Sequence, residues 1–294
     1  MKISDFLLSP RFMSPVFVLL WSTGFIGAKL GLPYAEPLTF LALRFGIVAL
    51  LLLPVALVWR LPWPQPWSQV AHICVSGLLL HSVYLGGVFS AIDQGVPAGV
   101  VALVVGIQPV LTAVLAGTFL GERITRLQWT GLVLGILGVT LVVWRKLDVG
   151  SGTPLGFALA VLALLGITLG TLYQKRFCAN IHLVTGNLTQ FAATCLVLGS
   201  LALLLESRRI IWSGEFVFAL TWLIVVLSLG AITLLYLLIR RGAAARVASL
   251  FYLVPPATAL IAWFLFGETF GLVALAGMVL AVTGVALVNL RPQA

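Results

Sequence analysis

Ten apolar runs, each long enough to cross a bilayer, dominate this sequence of 294 residues. They extend approximately from Ser14 to Leu32, Glu36 to Val58, Val70 to Ala91, Pro97 to Leu120 and Leu127 to Trp144. The second five run from Thr153 to Gln174, Leu183 to Leu205, Gly214 to Ile239, Ala244 to Phe266 and Phe270 to Leu290. About twenty apolar residues in helical form span the hydrocarbon core. Runs of this length exceed a barrel strand, and in hydrocarbon a helix satisfies its backbone amides within itself. The predicted fold is all-α and integral to the membrane, with ten transmembrane helices, here helix 1 to helix 10 in chain order. Composition agrees: 61% of residues are apolar and 9% charged, against roughly a quarter charged in soluble domains. Short connections carry turn residues, such as Gly31-Leu32-Pro33 and Gly150-Ser151-Gly152, and leave no room for a soluble domain.

The cations say which way the helices face. One set of alternate connections holds Lys2, Arg11, Arg60, Arg123, Arg126, Lys175, Arg176, Arg240, Arg241, Arg246 and Arg291, and the other Lys29, Arg145, Lys146, Arg208 and Arg209. The positive-inside rule predicts a multi-pass protein of the cell (inner) membrane with both termini cytoplasmic. The first run has no small-x-small cleavage site and is expected to be retained. No basic block exists beyond pairs such as Arg208-Arg209, so the lipid bilayer is an expected partner and nucleic acid is not. Cys74, Cys178 and Cys195 form no CxxC pair and read as packing residues, not bridges or metal ligands.

A shift of 146 residues lays the chain on itself without a gap. It pairs Pro109 with Pro255, Thr112 with Thr258, Gly121-Glu122 with Gly267-Glu268, Gly131 with Gly277 and Gly138 with Gly284. It also pairs Gly24 with Gly170, Lys29 with Lys175 and Phe45 with Phe191. Matches of Pro, Gly, Glu and Lys in one register exceed what two greasy sequences share by composition. Each unit, 14–145 and 153–291, holds five helices, so the second must enter from the opposite face. Two inverted five-helix repeats around a central cavity are the usual architecture of secondary transporters.

Leu20-Trp21-Ser22-Thr23-Gly24-Phe25, Arg44-Phe45 and the doubled Pro109…Gly121-Glu122…Gly131…Gly138 pattern resemble the EamA domain of the drug/metabolite transporter superfamily. The resemblance covers essentially the whole chain as two units. It implies an exporter of small metabolites, amino acids or drugs, with amino-acid exporters of the YddG type as one branch. Gln108 precedes Pro109, and Val254-Pro255-Pro256 stands in the copy, where many family members carry an acidic residue before the proline.

Candidate cavity residues are polar or aromatic groups deep in spans, which are costly there unless they face protein or water. They are Trp21, Arg44, His81, Tyr84, Gln108, Asn187, Gln190, Tyr236 and Tyr252, with Trp263 a further possible wall. Asn187, Gln190 and Thr194 share a helical face, as do His81 and Tyr84, and Thr233 and Tyr236. Lone Ser and Thr residues are expected to bond their own helices. Arg44 either receives a substrate carboxylate or is a structural cation satisfied by helix carbonyls or by Glu36 or Asp93. Pro109, Pro255 and Pro256 withhold amides in helices 4 and 9 and read as hinges. Lys29 and Lys175, at opposite faces, read as gates. Glu122 and Glu268 read as structural, answering free amides and the dipole of the next helix. The small-residue faces of helices 5 and 10 either hold the halves together or make a homodimer interface, so the protein is a monomer or a homodimer.

The expected function is a secondary transporter of a small neutral or zwitterionic metabolite, amino acids foremost, working by alternating access. No carboxylate lies clearly at mid-membrane, and His81 is the best titratable group. No GxxxxGK[ST] loop, HExxH or paired Asp is present, so no cofactor or metal is expected. An intramembrane enzyme or a non-transporting structural membrane protein is the alternative.

Overall fold

The computed structural model describes residues 9–144, 152–266 and 271–290; the sequence readings on Glu268 and on the side chains of Lys29 and Trp263 fall outside what it describes. Among the described residues ten apolar helices are long enough to span a membrane. Helices 1 to 5 are Phe12–Tyr34, Pro37–Val58, Trp67–Asp93, Ala98–Leu120 and Arg126–Val143. Helices 6 to 10 are Pro154–Phe177, Leu183–Leu205, Gly214–Arg241, Ala244–Ile261 and Leu272–Asn289, with helix 9 running on to Phe266. Leu50, Leu204 and Val279 stand exposed on the outside, where lipid replaces water. Trp59, Trp63, Trp67, Trp144 and Trp212 are exposed near span ends, as interfacial anchors are.

Helix pairing repeats across the two halves. Helix 2 packs along helix 7, and helix 5 along helix 10. Helix 3 packs on helix 6, and its image, helix 8, packs on helix 1. Helix 4 packs on helix 6, and its image, helix 9, on helix 1. Each contact therefore has a counterpart under the same 146-residue shift, with helices 2, 7, 5 and 10 lying about the pseudo-twofold axis.

Four helices are interrupted, also in pairs. Helix 3 widens into a π-helical stretch at Leu78–Val83, and helix 8 does so at Leu223–Ala231, which covers the shifted positions. Helix 4 breaks between Ala98–Val105 and Gln108–Leu120. Helix 9 passes through a 3-10 turn at Leu250–Leu253. The prolines read as hinges do not sit mid-helix: Pro109 is the second residue of its restarted segment, and Pro255 and Pro256 follow Val254 at the start of theirs. Proline is tolerated there because the first turn has no amide bond to lose. The break in helix 4 falls at Gly106 and Ile107, whose amides turn back to Ala102 and Val104.

Polar groups close the two membrane faces. On one, the Glu206 carboxylate accepts the Leu38 and Thr39 amides at 2.7 Å each and so caps helix 2. Beside it Glu36 accepts from the Ser207 hydroxyl and the Arg208 amide, and the Ser207 bond holds its carboxyl below the usual range. Ile211 donates its amide to the Tyr34 carbonyl, and the Tyr34 hydroxyl donates to Glu215. On the other face Glu122 accepts the Ala244 amide at 2.9 Å and the Lys175 ammonium at 2.6 Å. Glu122 thus caps helix 9, not the next helix in the chain as the sequence reading has it. Helix 5 has its own capping box, Thr125 with Gln128.

The glycine faces of helices 5 and 10 are turned to each other within one chain. A methyl group on Gly138 would stand 2.4 Å from the Ala281 amide nitrogen, and one on Gly284 would stand 2.5 Å from the Gly131 carbonyl oxygen. In lipid, helices associate by close packing and not by hydrophobic drive, so this seam is a principal cohesion between the halves. Gly138→Ala is expected to overpack the seam at a cost of about 1–3 kcal/mol and lower the apparent Tm in detergent. Gly199→Ala, where the nearest neighbouring atom is 4.0 Å away, should leave Tm unchanged; equal melting of the two variants would disprove a tight seam.

Candidate functional site

The paired interruptions surround the centre of the bundle. Phe45 and Phe191, equivalent under the shift, stack face to face with centroids 5.3 Å apart at 19°. The imidazole of His81 packs against both rings at 5.1 Å. Polar groups lie on either side of this stack, toward the two membrane faces.

Toward the Glu122 face runs a buried chain of hydrogen bonds through four helices. His81 Nε2 meets the Tyr236 hydroxyl at 3.1 Å, and that hydroxyl donates to the Gln190 amide oxygen. Gln190 Nε2 donates to Gln174 Oε1 at 2.9 Å, and Ser76 Oγ donates to the same oxygen at 2.6 Å. All five side chains are buried. Such a network in a low-dielectric interior fixes each member through its neighbours. Glycine makes the approach possible: a methyl on Gly77 would stand 2.9 Å from the Gln190 Cα. Gly166 of helix 6 similarly admits the wide turn of helix 3, since a methyl there would stand 2.9 Å from the Tyr84 amide nitrogen.

Toward the Glu206 face lies a cavity of about 40 Å³, lined by Trp21, Arg44, Tyr84 and Phe89 and by Leu223 and Leu227 of the π-helical stretch. That is room for two or three waters, given about 15 Å³ for each. Arg44 stands seven residues inside helix 2, about 10 Å from its start at 1.5 Å per residue. It is 3% exposed, its Nε donates to Ser228 Oγ at 2.9 Å, and its guanidinium sits 5.1 Å from the Phe45 centroid. The bond from Arg44 to Glu36 or Asp93 considered in the sequence does not form; Glu36 is engaged at the surface.

Several sequence candidates are thus brought together. Trp21, Arg44 and Tyr84 share one cavity, and His81, Gln190 and Tyr236 share one hydrogen-bond chain. Asn187 donates to Thr233 at 3.3 Å and makes no hydrogen bond to that chain among the described residues. Gln108 and Tyr252 stand apart at the helix 4 and helix 9 interruptions. Both are fully buried, with the Gln108 amide and the Tyr252 hydroxyl meeting no partner among the described residues. The Tyr252 ring fills the space over Gly135, where a methyl would stand 2.2 Å from it, so it packs on helix 5 and does not line the cavity. Lys175 joins Glu122 to the Gly242 carbonyl, 2.6 Å from each. Thr168 and Thr171 bond the carbonyls one turn back, as expected of lone threonines. Sequence reasoning missed Ser76, Gln174 and Ser228, and the two π-helical stretches.

Two segments, residues 12–144 and 154–290, match the model of the EamA-like transporter family. The chain is 29% identical to an uncharacterized transporter, YvbV, of Bacillus subtilis (strain 168), over 94% of this chain and 90% of that one. It is 28% identical to a probable amino-acid metabolite efflux pump of Salmonella typhimurium (strain LT2), covering 93% and 92% of the two chains. It is also 28% identical to a probable terminal-alkyne amino-acid exporter of Streptantibioticus cattleyicolor, covering 93% and 91%. A protein crystal structure shares the fold with a TM-score of 0.77 at 21% identity, covering 94% of this chain and 95% of that one.

The hydrogen-bond chain predicts non-additive energetics. Tyr236→Phe and Gln190→Ala should each cost about 1–3 kcal/mol by stranding buried partners. The double variant should cost at least about 0.5 kcal/mol less than the sum, measured as reversible unfolding in mixed micelles. Strict additivity would show that the groups do not act as a unit.

Proposed function

This chain belongs to the EamA-like transporter family, and from that premise we propose that it exports a small neutral or zwitterionic metabolite, amino acids foremost, by alternating access. It would do so across the cell (inner) membrane, with both termini cytoplasmic. One observation carries the reading. The buried polar residues converge at the pseudo-twofold axis between two inverted repeats, beside helix interruptions that occur in equivalent pairs. Irregular backbone at this depth is tolerated where it faces protein or a cavity, and inverted halves that exchange conformations open such a centre to each side in turn. Two of the relatives are named for amino-acid export, which supports the substrate class.

A cavity of about 40 Å³ is too small for an amino acid, so this conformation is a contracted one. Enlarging it requires Leu223 and Leu227 to withdraw from helix 1, where a methyl on Gly27 would stand 2.9 Å from Leu223 and one on Gly24 3.2 Å from Leu227. The opposite side is tied shut by Lys175, Glu122 and the start of helix 9. Export then consists of loosening one closure while the other holds.

Counterflow in proteoliposomes with an amino-acid panel tests the reading. Gln190→Ala and His81→Ala, folded as judged by gel filtration, should slow flux at least about tenfold, or about 1.4 kcal/mol in the barrier. Wild-type rates in both would remove the polar chain from the path. The closure makes a separate expectation. Cys178 is fully buried just past helix 6, and burial pushes its thiol up to about 12, so little reactive thiolate exists at pH 8. Glu122→Gln should open this face and restore an ordinary thiol, so maleimide labelling of Cys178 rises several-fold and climbs with pH between 7 and 9. Unchanged labelling would mean that Glu122 does not hold the face closed.

A further inference from the structure

Arg44 carries a charge inside the membrane without an acidic partner among the described residues. Its one hydrogen bond among the described residues leaves from Nε to Ser228, and the guanidinium has five N–H donors in a planar fork. The four on the two terminal nitrogens meet no protein acceptor among the described residues, and Arg44 lines the cavity. Among the described residues no Asp or Glu lines that cavity. Glu36, Glu206 and Glu215 are spent at the membrane face on backbone amides, hydroxyls and Tyr34, and Asp93 is exposed at the end of helix 3. A buried ion that keeps its charge needs a counter-charge or a well-built set of acceptors. The Phe45 ring under the guanidinium, at 5.1 Å, supplies only part of that.

We propose that the missing acceptor is the cargo's carboxylate, and that this site reads the carboxylate and not the ammonium. Guanidinium and carboxylate match as a two-pronged, charge-assisted pair. The rest of the lining, Trp21, Tyr84, Phe89, Leu223 and Leu227, offers apolar surface for a side chain. An ammonium finds there no anion, only ring faces, which attract a cation weakly by comparison. The ligand class is amphipathic monocarboxylates, in which an α-amino group and an α-hydroxyl are interchangeable. This rests on the export reading for the claim that the ligand is cargo; the recognition itself does not.

Two matched sets of probes test it on the purified full-length protein, by ligand protection in thermal unfolding. One set is leucine, leucinamide, 2-hydroxy-4-methylpentanoate and isoamylamine; the other is phenylalanine, phenylalaninamide, 3-phenyllactate and phenethylamine. In at least one set the two acids should protect with apparent affinities within about tenfold of each other, and the amide and amine at least about tenfold more weakly, about 1.4 kcal/mol per tenfold. Arg44→Gln should abolish protection by the acids and Arg44→Lys should keep part of it, since a lysine retains the charge and loses the fork. If Arg44→Gln does not fold, the ranking on the unaltered protein decides alone. Amides that protect as well as acids overturn the proposal, and so does an absence of protection by acids in both sets. Proteoliposome flux separates this from the export reading. Acids that bind but never move refute export and leave the recognition standing, whereas leucinamide moving as fast as leucine refutes the recognition and leaves export standing.

Discussion

A backbone crossing hydrocarbon has no solvent to complete a hydrogen bond that its own helix fails to make. Every departure from the regular ladder must therefore be answered by another part of the same chain. In this protein the departures are concentrated in helices 3, 4, 8 and 9, and in helices 3 and 9 answers come from across the bundle. Thr194 of helix 7 donates to the Gly77 carbonyl at the start of the helix 3 π-helical stretch, at 3.4 Å. Ser22 of helix 1 donates to the Val254 carbonyl at 3.3 Å, and Thr258 returns a bond to the Ser22 carbonyl at 3.2 Å. Irregularity and long-range contact are the same feature seen from two sides.

The helix pairings divide the labour. Helices 5 and 10 meet through glycine with backbones nearly touching, a contact with no slack, since backbone cannot rotate away as a side chain can. Helix 1 meets the wide stretch of helix 8 through Leu223 and Leu227, whose branched ends have other rotamers to occupy. A rigid seam beside a compliant one is what rocking of two halves about a fixed centre requires. The polar closures at the faces, Glu122 with Lys175 on one side and Glu206 with the start of helix 2 on the other, are few and partly exposed, so their rupture is inexpensive.

Much of this was legible in the sequence, because hydrophobic length, the 146-residue register and positions such as Arg44, His81 and Gln190 are local or periodic facts. The spans and the two-repeat plan follow from them. Other features had no local signal. Nothing in Leu78–Val83 distinguishes a π-helical turn from an α-helical one, because the room for the wide turn comes from Gly166 and Gly170 on the facing helix 6. Glu122 looked like a cap for the helix that follows it and proved to cap helix 9, since proximity in space overrides proximity in sequence. Gln174 and Ser76 carry no signal of their own; only the fold shows that Gln174 accepts from Gln190 and that Ser76 donates to the same Gln174 oxygen. Tyr252, a plausible cavity wall by type, was claimed by a hole over Gly135. The partner of Ser228 was equally invisible, although its image under the shift is Ser82 in the opposite wide stretch.

The stacked pair at the centre has a bearing on the chain's origin. A residue lying on a twofold axis faces its own duplicate, so aromatic rings that stack on themselves, Phe45 on Phe191, suit a pair of identical subunits as well as they suit one fused polypeptide. One position away, the duplicates have parted: Arg44 on one side, Gln190 on the other. Two separate copies of a single gene product inserted in opposite senses would have carried the same residue at both places, doubling the buried charge or removing it. Covalent joining lifts that restriction, and with it comes a polarity across the membrane that a symmetric pair of subunits cannot have.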